Sequence, residues 1–411
     1  MGTSYDVIVV GGGPSGAVAA SLLARAGWRV AIIEKAVFPR RKVCGEFISA
    51  TTWPLLRAIG VVEPLLSRAG PPVRRVGMYA GNVVVIAPLT APQAVSADCG
   101  RAIGREHLDS ALLEGAARAG VELWQPWELT RFGAENGSFE CGVTAANTRA
   151  SRNLIAPLVI AAHGSWERGV MPTQASHPPA GAGDLFGFKA HFEHAGLDDD
   201  LMPLLSFPGG YGGMVNSDAG RLSLSFCIRR DALALCRRLT PSSSAGNAAL
   251  THIQASCRGV AQTLSNARRL GPWLAAGPLR TGLRGFGDGG CYTVGNATAE
   301  AHPIVAEGLS MAMQSAGLLC DALLRGEGQG SVWSRTRLDQ VRSAYAAAWH
   351  QHFAQRLNLA AFAAHVFMRP ASARLAALTL QGLPSLLSRA ALWSGKAQIY
   401  GLDLGALGAW R

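Results

Sequence analysis

The stretch from Tyr5 to Lys35 constrains the fold of this chain more than any other. Val7, Ile8, Val9 and Val10 form a short apolar run that stops at glycine, as a strand buried on both faces would. Gly11, Gly13 and Gly16 then give G-x-G-x-x-G, with Pro14 and Ser15 inside the motif. Gly11 permits a tight turn, Gly13 lets backbone approach a pyrophosphate, and Gly16 lets the following helix lie close on the strand. That helix is rich in Ala and Leu and ends at Gly27, a C-cap signal. A second apolar strand, Val30 to Ile33, runs into Glu34 and Lys35. An acidic side chain there accepts hydrogen bonds from both hydroxyls of an adenosine ribose, and the helix N-terminus after Gly13 suits its phosphates. The pattern predicts a strand–helix–strand dinucleotide site. By itself it does not separate FAD from NAD.

With 411 residues and 49% hydrophobic side chains, the chain can fill a large core split into two or three subdomains. No segment reaches the roughly 18 uninterrupted apolar residues of a membrane span. The N-terminus enters the first strand at once, which predicts no signal peptide and a cytoplasmic protein. Eight scattered cysteines without a C-x-x-C pair indicate neither zinc nor a disulfide scaffold. The histidines lack metal-ligand spacing; His350 and His352 do not share a helix face, so no metal is expected. Net charge is +11, and residues 331–411 alone hold nine Lys/Arg against two acids, a net of +7. That tail reads either as a solvated basic face or as a contact for an acidic surface, anionic lipid or an acidic carrier domain. The second alternative leaves open a peripheral position at a membrane. Nucleic acid is not expected, because no recognition motif accompanies the charge.

Along the chain, strands are expected within Val73 to Leu89, Val121 to Leu123, Gly142 to Thr144, Leu158 to Ala162, Phe186 to Phe192, Leu201 to Ile228 and Gly290 to Gly295. Helices are expected over Ala102 to Gly120, over most of Asp231 to Leu270, and from about Glu307 to Leu324. Ser165 to Gly183 reads as a loop with prolines. From Val332 the pattern is a set of amphipathic helices broken at Pro370 and Pro384. The order suggests a nucleotide domain from 1–70, 100–165 and 280–330, interrupted by a sheet domain from 71–99 and 166–279, with a helical region over 331–411.

Four segments resemble the flavoprotein family of aromatic-ring hydroxylases, flavin-dependent halogenases and geranylgeranyl reductases. The first is the glycine unit with Glu34. The second, Arg40 to Glu46, is similar to the K-V-C-G-E loop of the geranylgeranyl reductase branch. The third ends at His163-Gly164, where the family has Asp-Gly. The fourth, Val294 to Ala316, resembles the second flavin motif, a Gly-Asp pair followed by Pro-x-x-Gly-x-Gly; here the pair is Gly295-Asn296. The resemblance implies an α/β fold in which a Rossmann-like FAD-binding domain is interrupted by an antiparallel-sheet substrate domain, with helices at the C-terminus. It implies FAD as cofactor and an oxidoreductase, with NADPH or NADH as electron donor. Loss of the first aspartate puts direct reduction in question and points to a separate flavin reductase.

By the same resemblance Asn296 stands where an aspartate binds the ribityl chain, keeping one acceptor oxygen. Pro303, Gly308 and Leu309 would face the flavin, with the helix dipole on its pyrimidine edge. Arg40, Arg41 and Arg105 are candidates for FAD phosphate contacts, and Gly45 and Gly164 for close backbone approach. Cys44, His302 and Tyr211 are the catalytic candidates, with Phe207 and Met214 beside Tyr211. The alternative for each is a structural role. The expected substrate is an apolar aromatic or polyketide-derived small molecule, hydroxylated through a flavin C4a-hydroperoxide. The alternative is reduction or dehydrogenation of an unsaturated lipid-like or polyketide substrate. Halogenation ranks below both, because Gly209 to Met214 reads G-G-Y-G-G-M in place of the halogenase signature G-W-x-W-x-I-P. A non-catalytic FAD-binding protein is the remaining reading.

Overall fold

The computed structural model describes residues 3–89, 99–135, 137–165, 167–174, 181–325 and 333–396. The end of the expected helical tail, 397–411, and residues 166 and 175–180 of the expected loop after Ser165 lie outside the described residues. The fold is mixed α/β with a helical C-terminal region.

A six-stranded sheet is centred on Val7–Val10, every residue of which is buried. Val30–Ile33 and then Glu122–Trp124 lie parallel on one side; Leu158–Ala161 and Cys291–Thr293 lie parallel on the other. The central apolar runs suit a sheet covered on both faces. One face takes the helices Pro14–Arg25, Arg105–Arg118 and Gly308–Arg325, which share a single core with the sheet. The other takes a four-stranded sheet, built around Trp127–Glu135, Ser138–Ala145 and Ser151–Ala156.

Residues 75–88 and 185–279 supply a seven-stranded sheet. Its strands run Arg268–Leu279, Leu185–Glu193, Leu222–Arg229, Gly210–Asn216, Leu201–Phe207, Arg75–Ala80 and Val83–Pro88 across the sheet. All neighbours are antiparallel except Leu201–Phe207 and Arg75–Ala80. Three helices, Arg230–Leu239, Ala245–Ser256 and Arg258–Thr263, flank it. The helical expectation for Asp231 to Leu270 overran, because Arg268–Leu279 is a strand. Its first residues, Arg268, Arg269 and Leu270, pair with Glu193, Phe192 and His191, so ladder formation overrides local pattern. Trp127–Glu135 was not expected as a strand. It is mostly exposed and alternates weakly, which leaves little period-two signal.

The C-terminal region opens with a 33-residue helix, Arg335–Phe367, capped by Ser334. Val341, Tyr345, Trp349, Phe353, Arg356, Ala360 and Ala364 are buried on it at spacings of three or four, a continuous seam on the body. Pro370–Gly382 and Ser385–Ala391 follow, and each begins beside the proline that interrupts the pattern.

Candidate functional site

One cavity runs from the glycine turn to the seven-stranded sheet. Gly11, with φ +110°, begins it; a Cβ there would lie 2.5 Å from the Ala162 carbonyl oxygen. A Cβ on Gly16 would lie 1.9 Å from the Gly11 oxygen, so this glycine is needed for helix–strand packing and sits behind the cavity wall. Gly13, Pro14 and Ser15 line the cavity, and no side chain caps the helix they open. Its first N–H groups are therefore available to a ligand anion.

Glu34 is buried at the end of Val30–Ile33. Its Oε2 accepts from Gly12 N at 2.9 Å and its Oε1 from Ala36 N at 2.8 Å, while Arg40 pairs with it at 3.2 Å. These partners fix the carboxylate at the cavity edge. Lys35 also lines the cavity and pairs with Glu167. Arg105 lines it too, held by the buried Asp109 at 2.6 and 2.7 Å. Lys42, which motif reasoning did not single out, lies on the same wall. Burial lowers its pKa, and the nearby Arg40 and Arg105 lower it further. Arg40, Lys42 and Arg105 thus form a cationic wall that a pyrophosphate would neutralise. Arg41, expected on a phosphate, is not on that wall; its Nε lies 3.3 Å from Glu106.

Glu106, His107 and Asp218 form a cluster of metal-ligand type. Arg41 and Arg221 already neutralise its acids: Arg221 reaches Glu106 at 3.2 Å and also pairs with Asp218. The cluster is an ion-pair knot between the helix Arg105–Arg118 and the turn Asp218–Gly220 of the seven-stranded sheet.

The second motif closes the groove. Gly295, with φ +61°, donates its N–H to Ser315 Oγ at 2.8 Å, and a Cβ there would lie 2.6 Å from Ser15 Oγ. It packs the motif against the first helix without lining the cavity. Asn296, Pro303, Gly308 and Leu309 do line it, and the helix Gly308–Arg325 starts there. Ala306 takes φ +54° where the motif has its first glycine, a left-handed conformation that glycine adopts more easily. Gly164, with φ +83°, and His163 line the opposite edge. His163 Nδ1 lies 2.8 Å from the Gly164 carbonyl oxygen and Nε2 2.8 Å from Thr173 Oγ1. A carbonyl only accepts, so Nδ1 carries the proton, and burial lowers the ring's pKa. Burial raises the pKa of Glu300, also on the cavity, against the pull of Arg284 at 2.9 Å.

At its far end the cavity is walled by the seven-stranded sheet, with Phe188, Leu204, Met214, Phe226 and Leu279 among its apolar side chains. Tyr211 is on this wall and almost fully buried, with its hydroxyl 3.2 Å from His302 Nδ1. His302 Nε2 lies 3.0 Å from Thr281 Oγ1. His302 therefore stands behind Tyr211 and not on the cavity surface. Phe207 is also off the wall, packed on Phe226 and His252. The glycines beside Tyr211 serve strand packing: a Cβ on Gly212 would lie 2.6 Å from Ser225 O, and one on Gly210 2.2 Å from the Phe207 ring. Cys44 and Gly45 line the cavity between this wall and the cations.

A buried ionic triad went unread in the sequence. Glu46 (0% exposed) contacts Lys189 (1%) and His191 (2%), with His191 Nε2 2.9 Å from its Oε2. Burial alone would raise the Glu46 pKa, but His191 and Lys189 hold it well below the usual carboxylate range. Lys189 and His191 share one face of Leu185–Glu193, whose residues before Glu193 are otherwise apolar. Two polar residues at period two there were the available signal. Glu46 itself has φ +63° and lines the cavity.

The profile of the FAD binding domain matches residues 4–214 of this chain. Conditioned medium factor receptor 1 of Dictyostelium discoideum is 26% identical over 382 residues, covering 87% of this chain and 70% of that protein. A menaquinone reductase of Mycolicibacterium smegmatis is 32% identical over 123 residues, 30% of this chain and 29% of that one. Among solved structures, the flavin-dependent brominase Bmp2 superposes with a TM-score of 0.73 over 100% of this chain and 98% of its own, at 18% identity. At that identity the likeness is one of fold.

Proposed function

The chain belongs to the flavoprotein family built on the FAD binding domain, and from that premise we propose that it is a FAD-dependent monooxygenase acting on an apolar, aromatic or polyketide-derived small molecule. The observation that carries this reading is the continuity of the cavity: an anion-binding cradle at one end opens into a buried chamber walled by Phe188, Met214 and Phe226. An apolar chamber suits an apolar ligand, and a ligand seated there would displace water from the reacting centre.

The cradle fits FAD. Gly13 leaves open space where a Cβ would stand, with only Arg40 Nη2 near, at 4.0 Å; the helix N-terminus is uncapped, and Glu34 is held by backbone N–H groups where it can accept from a ribose. Arg40, Lys42 and Arg105 would hold the pyrophosphate, and Asn296 would offer its amide to the ribityl chain. FAD, when bound, supplies two-electron redox chemistry and the activation of dioxygen. The chain's own groups orient and exclude. The sheet excludes water. Tyr211, His302 and Thr281 form a hydrogen-bonded chain leading off the cavity wall: with the Tyr211 hydroxyl donating to Nδ1, Nε2–H donates to Thr281 Oγ1. Burial lowers the His302 pKa and raises that of Tyr211, so both groups stay neutral near pH 7 and the chain fixes the orientation of the tyrosine on the wall.

The menaquinone reductase relative and the position of Cys44 on the cavity favour a second reading, reduction of a quinone or alkene. Incubation of the FAD-loaded protein with NADPH or NADH, a panel of naphthols and naphthoquinones, and isotopically labelled dioxygen separates the two. Label in the product supports the monooxygenase. A reduced product formed equally well without oxygen supports the reductase and overturns the first reading. A requirement for an added flavin reductase would place the electron donor on a separate protein.

A further inference from the structure

Beyond the redox site, we propose that the helices Pro370–Gly382 and Ser385–Ala391 dock this protein on an anionic lipid surface. Leu375 (69% exposed), Leu378, Leu383, Leu386 and Trp393 (60%) follow one another on the solvent side of this helix pair. Ala373 and Ala377 hold the first helix to the body, so it is apolar on its inner and its outer side. Such a helix in a surface position has an unpartnered face.

The charges say what covers it. Between Asp339 and Asp403 there is no acidic residue, while Arg369, Arg374, Arg389 and Lys396 fall within or beside the helix pair. Arg369, Arg374 and Arg389 are exposed. Leucine and tryptophan on a face bordered only by cations match an interfacial helix, whose apolar side enters the lipid while its arginines meet anionic headgroups. No described helix is long and apolar enough to cross a membrane, so the contact lies on the surface. The same helices back onto the chamber. Ala377, Leu387 and Ala391 pack in one cluster with Met202 and, at its margin, Leu204, and both of these line the cavity. Docking by this face would bring the chamber wall close to the phase in which an apolar molecule dissolves.

The test is flotation of the full-length FAD-loaded protein with vesicles of phosphatidylcholine alone or with 30% (roughly the anionic share that gives a strong surface potential) phosphatidylglycerol. The expected result is binding to the anionic vesicles, weakened by salt, and little to the neutral ones. The Leu375→Asp/Leu383→Asp variant should lose at least about tenfold in partition, and the Arg374→Ala/Arg389→Ala variant about tenfold. Flavin absorbance and melting temperature should stay as in the parent, since these side chains are exposed. Absence of binding to anionic vesicles overturns the proposal. So does equal binding to neutral vesicles. Loss in the arginine variant with none in the leucine variant also overturns it, in favour of charge attraction to any anionic partner, an acidic carrier protein included. A dimer in light scattering that dissociates in the leucine variant, with no vesicle binding, would assign the face to a second copy of the chain.

Discussion

The two ends of the cavity are built on different terms. At the cofactor end, backbone decides. Gly11, Gly13, Gly16 and Glu34 lie within one short stretch, and the requirement at Gly11 and Gly16 is steric: Cβ atoms there would meet carbonyl oxygens at 2.5 and 1.9 Å. At the chamber end, side chains from distant segments decide. Glu46 meets Lys189 across a sequence separation of 143 residues, and Tyr211 meets His302 across 91. A site made of backbone tolerates change around it and none within it. A site made of long-range side-chain pairs can be redesigned, provided the partners change together.

The largest effect should come from breaking the triad. Glu46→Gln would leave the Lys189 charge buried and unpaired, at a cost of about 3–5 kcal/mol. Because the folded pKa of Glu46 lies below its unfolded value, its ionisation contributes stability that is present above the ordinary carboxylate pKa of about 4.5. That contribution is lost as pH falls below this value toward the folded pKa, and the variant should lack that part of the acid-side slope. Denaturant melts across pH measure both. If side-chain pairing governs this end, Glu46→Gln/Lys189→Met should recover much of the loss; a double variant no better than the single one would contradict that.

Next comes the cradle. Gly16→Ala should cost up to about 3 kcal/mol by overpacking against backbone that cannot move aside, and FAD should be lost on purification. Here no second-site change should restore it, in contrast to the triad. Flavin retained at parental levels would remove the steric basis of the comparison.

What could be read beforehand follows the same division. The cradle was legible because its chemistry is written in consecutive residues with fixed spacing, Val7 through Glu34, and the buried strands beside it are apolar runs. The second motif was legible in part: Asn296, Pro303 and Gly308 fall on the cavity, while Gly295 packs behind it. The chamber was far less so. Arg41 follows Arg40 directly yet turns to Glu106, because chain direction in a loop sets where each side chain goes. His302 stands behind Tyr211, a depth that no spacing encodes. Lys189 and His191 could be seen as odd in an apolar strand, but their partner Glu46 could not be named from the sequence.

Asn296 tests the cofactor end at the scale of one hydrogen bond. Asn296→Leu would remove the amide offered to the ribityl chain and should weaken FAD by about 1–3 kcal/mol, read as a shift in flavin dissociation constant. Asn296→Asp should be tolerated. Unchanged affinity in the leucine variant would place the ribityl chain away from this residue.

The smallest effect should be the most discriminating, because Ala306 lies where the two ends meet. Its φ of +54° puts it in the left-handed region, and its side chain packs at the margin of the cluster behind the chamber. A non-glycine residue there costs about 1–2 kcal/mol in backbone strain. Ala306→Gly relieves that strain but adds about 0.4–1 kcal/mol of unfolded-state entropy and gives up part of the roughly 0.8 kcal/mol that a buried methyl contributes. The balance is a small gain, about 0.5 kcal/mol, if backbone conformation governs this position as it does in the cradle. If the methyl is held as tightly as the chamber's side chains are, the sign reverses and the glycine variant is destabilised. Denaturant midpoints of the two proteins, compared at equal flavin loading, decide which. A loss of about 1 kcal/mol or more would move Ala306, and with it the turn that leads into Gly308–Arg325, from the backbone-governed end to the other.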